Sequence, residues 1–209
     1  MSSTRFSALL AAAGALLIAP ACSPDAAPVT EEPAGGGAPA AEAPATGATE
    51  GLTLTSTSFQ EGTSIPLRNS AYGDEVTPDL SWSNLPEGTQ SLALILDDPD
   101  DGATPYVHWV LYNIPPEAGG LPEGLTGEGT LTEPAQIAGT TQGLNNRNNA
   151  SYYGPEPRSG PAHNYRFNLY ALSLEPNLPE GLGADELREA MSGNILGETT
   201  LTAPFQAPE

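Results

Sequence analysis

The chain has 209 residues, with 6 Lys and Arg against 26 Asp and Glu, a formal net charge of −20 at pH 7. This balance excludes nucleic acid as a partner, because binding to its phosphates depends on cationic side chains that release counterions. It equally excludes docking on an anionic membrane through a basic patch. The chain contains one Cys, so its folded part must be stabilised by packing and hydrogen bonds rather than by disulfides.

Residues 1–21 have the layout of a signal peptide. Met1 to Arg5 carries one positive side chain and no acid, and residues 6–18 form a largely apolar stretch that is too short to span a bilayer. Small residues at Ala19 and Ala21 then mark a cleavage site. We therefore expect an exported protein of the cell envelope or periplasm.

Cys22 stands directly after the signal peptide and allows two kinds of processing. Small residues before a Cys resemble a bacterial lipobox, in which the Cys thiol is acylated and becomes the first residue of the mature protein. Ala19-x-Ala21 equally fits an ordinary cleavage site, which would give a soluble secreted protein. Lipidation is favoured, because a lone Cys in an exported protein would otherwise be a free reactive thiol. Membrane contact is then expected only through the lipid anchor.

Residues 22–50 are predicted to form a disordered tether. Ala, Pro and Gly make up 18 of the 27 residues from 23 to 49, and none of the 27 is aromatic. Such a segment cannot bury enough apolar area to offset the entropy lost on ordering. The remaining residues, 51–209, suffice for one domain with a core of its own.

Short apolar runs between dense turn signals predict that this domain is mainly β. Residues 52–57 and 80–83 alternate apolar and polar side chains, as half-buried strands do. Residues 91–96 are almost continuously apolar, which is typical of a central strand buried on both faces. Aromatic and branched residues predict further strands at 107–113 and 165–173.

One helix is predicted, from Ala184 to Ser192. Asp185 and Glu186 occupy its first turn, where they complement the helix dipole, and Gly193 can end it. The stretch 117–158 is rich in Gly, Asn and Thr and lacks periodicity, and loops of this length are usually functional or disordered. The predicted architecture is a Greek-key β-sandwich of two sheets with a minor C-terminal helical element.

Both His residues of the chain stand in polar clusters. Asp98 and Asp100 follow the buried strand, and His108 lies on the next one. Because these strands leave the same end of a sheet, we expect the Asp98 carboxylate within hydrogen-bonding reach of the His108 imidazole, which would raise the pKa of His108. In the second cluster, Gly154 and Pro155 give a rigid, unobstructed backbone ahead of His163 and Tyr165.

The order and spacing of these clusters resemble the two signatures of the phosphatidylethanolamine-binding proteins, also called Raf kinase inhibitor-like proteins. The matching segments are Leu94-Ile95-Leu96-Asp97-Asp98-Pro99-Asp100 with His108-Trp109-Val110-Leu111-Tyr112-Asn113-Ile114-Pro115, and Tyr153-Gly154-Pro155-x-Pro157-x-Ser159-Gly160-x-x-His163-x-Tyr165. Pro78-x-Leu80-Ser81-Trp82 also matches the family, and Leu187-x-x-Ala190-Met191-x-Gly193 matches its bacterial branch. The resemblance covers essentially all of residues 52–205.

The resemblance implies a two-sheet β fold with a pocket at one end for phosphate- or carboxylate-type anions, such as phospholipid headgroups. Carried over by position, the pocket residues are Asp98, Asp100, His108, Gly154, Pro155, His163 and Tyr165, with Trp82 in their surroundings. The two His would donate to the anion while Asp98 orients an imidazole, and N–H groups near Gly154 would add donors. We expect no catalytic residue, metal or cofactor.

The sequence departs from the family pattern in four places, one of which spans two residues. Asp101-Gly102 replaces the usual Ala-Pro, and Glu156 adds a carboxylate at the pocket rim, where it would oppose an anion. Glu75 stands where the family often has Asn, and Asn194 where bacterial members often have His. The first two departures bear on ligand affinity and identity rather than on the fold.

The leading hypothesis is a non-enzymatic binding or regulatory protein for small anions, tethered to the cell envelope. The main alternative is a protein-interaction module of the protease- or kinase-inhibitor type, with an envelope protein as partner and residues 117–158 as its contact surface. A hydrolase built on the two His and Asp98 is a third reading, but no nucleophile elbow or second carboxylate pair accompanies them.

Overall fold

Two antiparallel sheets and one α-helix are formed by residues 51–209, which the computed structural model describes. The elements are β1 (Thr53–Thr55), β2 (Leu80–Ser83), β3 (Ser91–Asp98), β4 (Tyr106–Ile114), β5 (Gly120–Leu121), β6 (Thr141–Gly143), β7 (His163–Leu172), α1 (Ala184–Met191) and β8 (Ile195–Phe205). The predicted signal peptide, tether and Cys22 lipidation lie outside the described residues. Within them, no helix is both long and apolar enough to span a membrane.

The strand order confirms the predicted mainly-β, two-sheet architecture. The smaller sheet has the order β1-β2-β5 and the larger sheet the order β6-β4-β3-β7-β8. In the larger sheet β3, β4 and β6 are neighbours in succession, and the chain then returns to place β7 beside β3. Three successive antiparallel strands with a fourth beside the first form a Greek key.

β3 is the central strand of the larger sheet, and all of its residues are buried, as its apolar sequence predicts. Successive side chains of a strand point to opposite faces. Leu94 and Leu96 therefore pack in the core that also contains residues of the smaller sheet. Ala93 and Ile95 pack in a second core, together with Leu187 of α1. Residues 92–96 of the strand are thus continuously apolar because their side chains pack in two cores.

The helix α1 is held against the second core by apolar contacts and by an ion-pair network. Leu187 and Met191 are buried there. At the end of β3, the buried Asp97 accepts two hydrogen bonds from Arg166 of β7, at 2.8 and 3.1 Å. Arg188 of α1 places its Nη2 atom 3.6 Å from the same carboxylate. The helix is therefore tied to the last residues of β3.

Three strands were not predicted from the sequence. β5 and β6 are two and three residues long and lie within the aperiodic stretch 117–158. β8 is the longest strand, but its first six residues are exposed or half-buried, so no apolar alternation marks them. β8 lies at the edge of the sheet, where the missing N–H of Pro204 does not interrupt a ladder. Its outer side accepts a hydrogen bond from the Ile65 N–H to the Pro204 carbonyl, at 2.9 Å.

Candidate functional site

Strand ends bring the predicted site residues to one end of the larger sheet. β3 ends at Asp98, which pairs with Tyr106 at the start of β4. β7 begins at His163, on the other side of β3. The loop that contains Tyr153 passes over this end, and the Tyr153 N–H donates to the His108 carbonyl at 3.1 Å. The antiparallel pairing therefore gathers residues that are far apart in the sequence.

A cavity of about 230 Å³ opens at this end of the sheet. Its lining residues are Tyr72, Asp98, Asp101, Tyr106, His108, Arg147, Tyr153, Glu156 and Arg158. Of the residues proposed from the sequence, Asp98 and His108 line the cavity directly. A larger hollow of about 590 Å³, within residues 122–134, contains neither His and is lined by loop residues that include three Glu. The smaller cavity is therefore the candidate site.

The Asp98 carboxylate is bonded to His163 rather than to His108. Its Oδ2 atom lies 2.7 Å from Nδ1 of His163, and its Oδ1 atom accepts the Asp100 N–H at 2.9 Å. Asp98 is buried, so its charge is compensated by these two donors. A carboxylate on Nδ1 favours the tautomer that carries the proton there, which leaves Nε2 as the free ring nitrogen.

His108 is buried, and its partner is a carbonyl group. Its Nδ1 atom lies 3.0 Å from the Tyr153 carbonyl oxygen, which identifies Nδ1 as the donor. The expectation that a carboxylate raises the pKa of His108 is wrong. Burial lowers this pKa, because desolvation of the imidazolium outweighs the favourable carbonyl and the nearby Asp98. The lowered pKa favours the neutral form of the His108 ring.

Arg147, Tyr153 and His108 form a stack along one wall of the cavity. The Arg147 guanidinium carbon lies 3.6 Å from the centre of the Tyr153 ring. The Tyr153 ring in turn stacks on His108, with centroids 5.0 Å apart and an interplanar angle of 8°. The Tyr153 hydroxyl donates to Glu156, whose Oε2 atom also accepts from Arg147 Nη2 at 2.6 Å. Burial raises the pKa of Tyr153, so the hydroxyl remains a donor.

Gly154 and Pro155 do not line the cavity but form the backbone between two residues that do, Tyr153 and Glu156. A Cβ atom on Gly154 would lie 2.7 Å from the Asn69 carbonyl oxygen, so only Gly fits here. The Gly154 N–H donates to Glu75 Oε1 at 3.2 Å, and the Pro155 carbonyl accepts the Ala71 N–H at 3.1 Å. The Gly154 N–H is therefore already engaged, and donation to an anion by the other N–H groups near Gly154 stays a prediction.

The other predicted residues lie around the cavity or away from it. The Tyr165 hydroxyl is buried near Asp98 without a hydrogen bond of good geometry within residues 51–209, and burial raises its pKa. Asp100 accepts two hydrogen bonds from Asn164, at 2.8 and 3.1 Å, and so fixes the start of β7. Trp82 lies in the core of the smaller sheet, where Nε1 donates to the Pro116 carbonyl at 3.4 Å, and it does not line the cavity.

Similarity to known proteins decides the family. The family model described as phosphatidylethanolamine-binding protein matches residues 55–206. The chain belongs to this family. The "UPF0098 protein" of Methanothermobacter thermautotrophicus is 40% identical to this phosphatidylethanolamine-binding family member over 142 residues, which cover 68% of this chain and 90% of the relative. The predicted family resemblance is confirmed.

Two further comparisons concern a solved structure with a similar fold and a relative that is named as a lipoprotein. A crystal structure of a phosphatidylethanolamine-binding protein homologue from Chlamydia trachomatis, CT736, superposes with a TM-score of 0.66 at 31% identity, covering 76% of this chain and 99% of that one. A Mycobacterium tuberculosis relative named "Putative lipoprotein LppC" is 35% identical over 147 residues, which cover 70% of this chain and 68% of the relative.

Sequence reasoning missed several residues that shape the cavity of this phosphatidylethanolamine-binding family member. Arg147, Arg158, Tyr72 and Tyr106 line it but were not proposed. The sequence does contain a signal for the Arg residues. Residues 51–209 have 5 Arg and no Lys, so each Arg is a candidate for contact with an anion. Among residues 51–209, no cluster of three or more His, Cys, Asp or Glu side chains has the arrangement of a metal site.

Proposed function

We propose that the cavity binds a small phosphate- or carboxylate-type anion, such as a phospholipid headgroup, without transforming it chemically. The observation that carries the proposal is the position of Arg158. Residues 51–209 carry 21 Asp and Glu against 5 Arg, yet Arg147 and Arg158 both line this one cavity. Arg158 forms no ion pair with any residue of 51–209, whereas the other four Arg do.

The remaining groups of the cavity suit a small anion. A guanidinium group presents a fork of donors that matches phosphate and carboxylate oxygens. The aromatic rings of Tyr106, His108 and Tyr153 form its walls and pack against one another. Asp98 is bonded to His163, and Asp101 is exposed. The field of the domain, with a net charge of −16 over residues 51–209, repels anions, so affinity must come from short-range donors.

The role of Arg158 is tested by titrating the full-length protein with inorganic phosphate by isothermal calorimetry. We expect Arg158→Gln to weaken phosphate binding about tenfold, because a charge-assisted hydrogen bond contributes about 1.5 kcal/mol or more. Arg68→Gln is the matched control, since Arg68 is paired with Glu123 at 3.1 Å and does not line the cavity. Equal losses in both variants, or no phosphate binding by the wild type, would contradict the proposal.

The non-enzymatic part of the proposal has a separate readout. The same samples are incubated with p-nitrophenyl phosphate, and release of p-nitrophenolate is followed by absorbance. We expect no release above that of the buffer. Hydrolysis that disappears in His163→Ala would overturn this part and assign the Asp98–His163 pair to acid–base chemistry.

We further propose that the domain is tethered to the cell envelope through a lipid on Cys22. The predicted signal peptide supports this, as does the lipoprotein name of the Mycobacterium tuberculosis relative. The wild-type protein is expected in the membrane fraction, with a mature N-terminus at Cys22 and the added mass of acyl chains in intact-protein mass spectrometry. Cys22→Ser is expected in the soluble fraction. An unmodified wild-type N-terminus would contradict the anchor.

A further inference from the structure

The side-chain carboxylate of Glu156 is paired with Arg147, one of the two Arg residues that line the cavity. Its Oε2 atom accepts hydrogen bonds from Arg147 Nη2, at 2.6 Å, and from the Tyr153 hydroxyl. Arg147 also lies over the Tyr153 ring and donates to the Tyr153 hydroxyl, so three contacts hold its guanidinium in place. The side-chain carboxylate of Glu156 thus makes the contacts that an oxygen of a bound anion would make.

The backbone around Glu156 is held by hydrogen bonds, whereas its side chain forms an exposed ion pair that a ligand can replace. The flanking Pro155 and Pro157 have restricted backbones, and their carbonyls accept hydrogen bonds from the Ala71 N–H and the Tyr72 hydroxyl. The side chains of Arg147 and Glu156 are 47% and 40% exposed. An ion pair this exposed contributes at most about 1 kcal/mol, so an incoming anion can replace the Glu156 carboxylate.

Charge at the cavity therefore depends on where the Glu156 side chain lies. While Glu156 is bonded to Arg147, Arg158 is the one guanidinium of the cavity without an acidic partner in residues 51–209. Once Glu156 has turned to solvent, Arg147 and Arg158 are both available. One guanidinium matches a monoanion, whereas two match a dianion.

We propose that Glu156 is a built-in competitor that yields Arg147 to a dianionic phosphate group, which then bridges Arg147 and Arg158. This inference rests on the proposed anion binding and names its ligand class. A monoanionic carboxylate is bound by Arg158 and leaves the Arg147–Glu156 pair in place. The competitor lowers the affinity for every dianion and keeps the Arg147 guanidinium paired when no ligand is bound.

The test is a double-mutant cycle on the full-length protein at about pH 8, where phosphate groups are dianions. Glu156→Gln is expected to tighten inorganic phosphate binding roughly three- to tenfold, which corresponds to removal of one exposed ion pair and one negative charge. Acetate binding is expected to change less than phosphate binding. Glu87→Gln is the matched control, because Glu87 is exposed and precedes β3 at the end of the sheet opposite Asp98.

The Arg147→Gln variant distinguishes competition between Glu156 and phosphate for Arg147 from electrostatic repulsion of phosphate by the Glu156 carboxylate. In this background, Glu156→Gln is expected to give no tightening, since there is no guanidinium left for Glu156 to occupy. Tightening that persists in the Arg147→Gln background, or equal tightening in Glu87→Gln, would overturn the inference. Absence of phosphate binding in both the wild type and Glu156→Gln would instead refute the proposed anion binding itself.

Discussion

Gly154→Ala is expected to lower the free energy of unfolding by about 3 kcal/mol, because it overpacks a site enclosed by backbone. The added Cβ atom would lie 2.7 Å from the Asn69 oxygen and the Ser70 carbonyl carbon, and 2.8 Å from the Ala71 nitrogen. These atoms belong to the main chain and cannot turn aside as a flexible side chain would. Tyr72 and Tyr153, which line the cavity and adjoin these segments, would shift as well, so the proposed phosphate binding is expected to weaken together with stability.

Urea unfolding followed by circular dichroism measures this loss as a lower midpoint at an unchanged slope. Gly51→Ala is the matched control, because a Cβ atom at Gly51 would contact nothing within 4 Å. A Gly154→Ala protein within about 0.5 kcal/mol of the wild type, the range of ordinary surface substitutions, would show that the 69–71 backbone yields freely.

Trp109→Ala is expected to lower the free energy of unfolding by about 4 kcal/mol, the largest effect of a single substitution predicted for this domain. Trp109 follows His108 on β4 and is completely buried. Its Nε1 atom donates to Gln142 Oε1 at 2.8 Å, and its ring meets Tyr152 edge to face. The substitution leaves both a cavity and a buried amide oxygen without its donor.

Trp109→Phe separates these two contributions. It retains most of the ring volume but not the N–H, so a loss of about 2 kcal/mol is expected from the unpaired Gln142 oxygen. Urea unfolding of both variants provides the comparison. Equal losses in the two variants would contradict the large packing contribution assigned to the ring. The Phe variant also keeps the test informative if the Ala variant does not fold.

Apolar patterns in the sequence predicted those strands whose side chains pack in a core. Residues 91–96 revealed β3 because both faces are buried, and the predicted helix ends one residue beyond the observed α1. β8 was missed because its first half is an exposed sheet edge, where the choice of side chain is not constrained by a core. Apolar sequence patterns therefore identify buried residues. They identify a strand only where at least one of its faces is buried.

Two members of the site were predictable from the sequence, but their hydrogen-bond partners were not. The family signatures indicated Asp98 and His108, which do line the cavity. They did not indicate that Asp98 is bonded to His163, because β4 and β7 flank β3 on opposite sides and either imidazole could reach its end. Arg147 lies in an aperiodic stretch, and its role depends on a stack with Tyr153 that only the folded loop creates.

Because β3 is completely buried, the two sides of the cavity are expected to move on different timescales. Amide groups of a central buried strand exchange with solvent only through large-scale opening, so Asp98 is attached to the part of the domain that opens last. Arg147 and Glu156 instead extend half-exposed side chains from loops, which rearrange on far shorter timescales. One side of the cavity thus has a fixed shape while the other is free to rearrange, a combination that suits the proposed reversible binding of an anion.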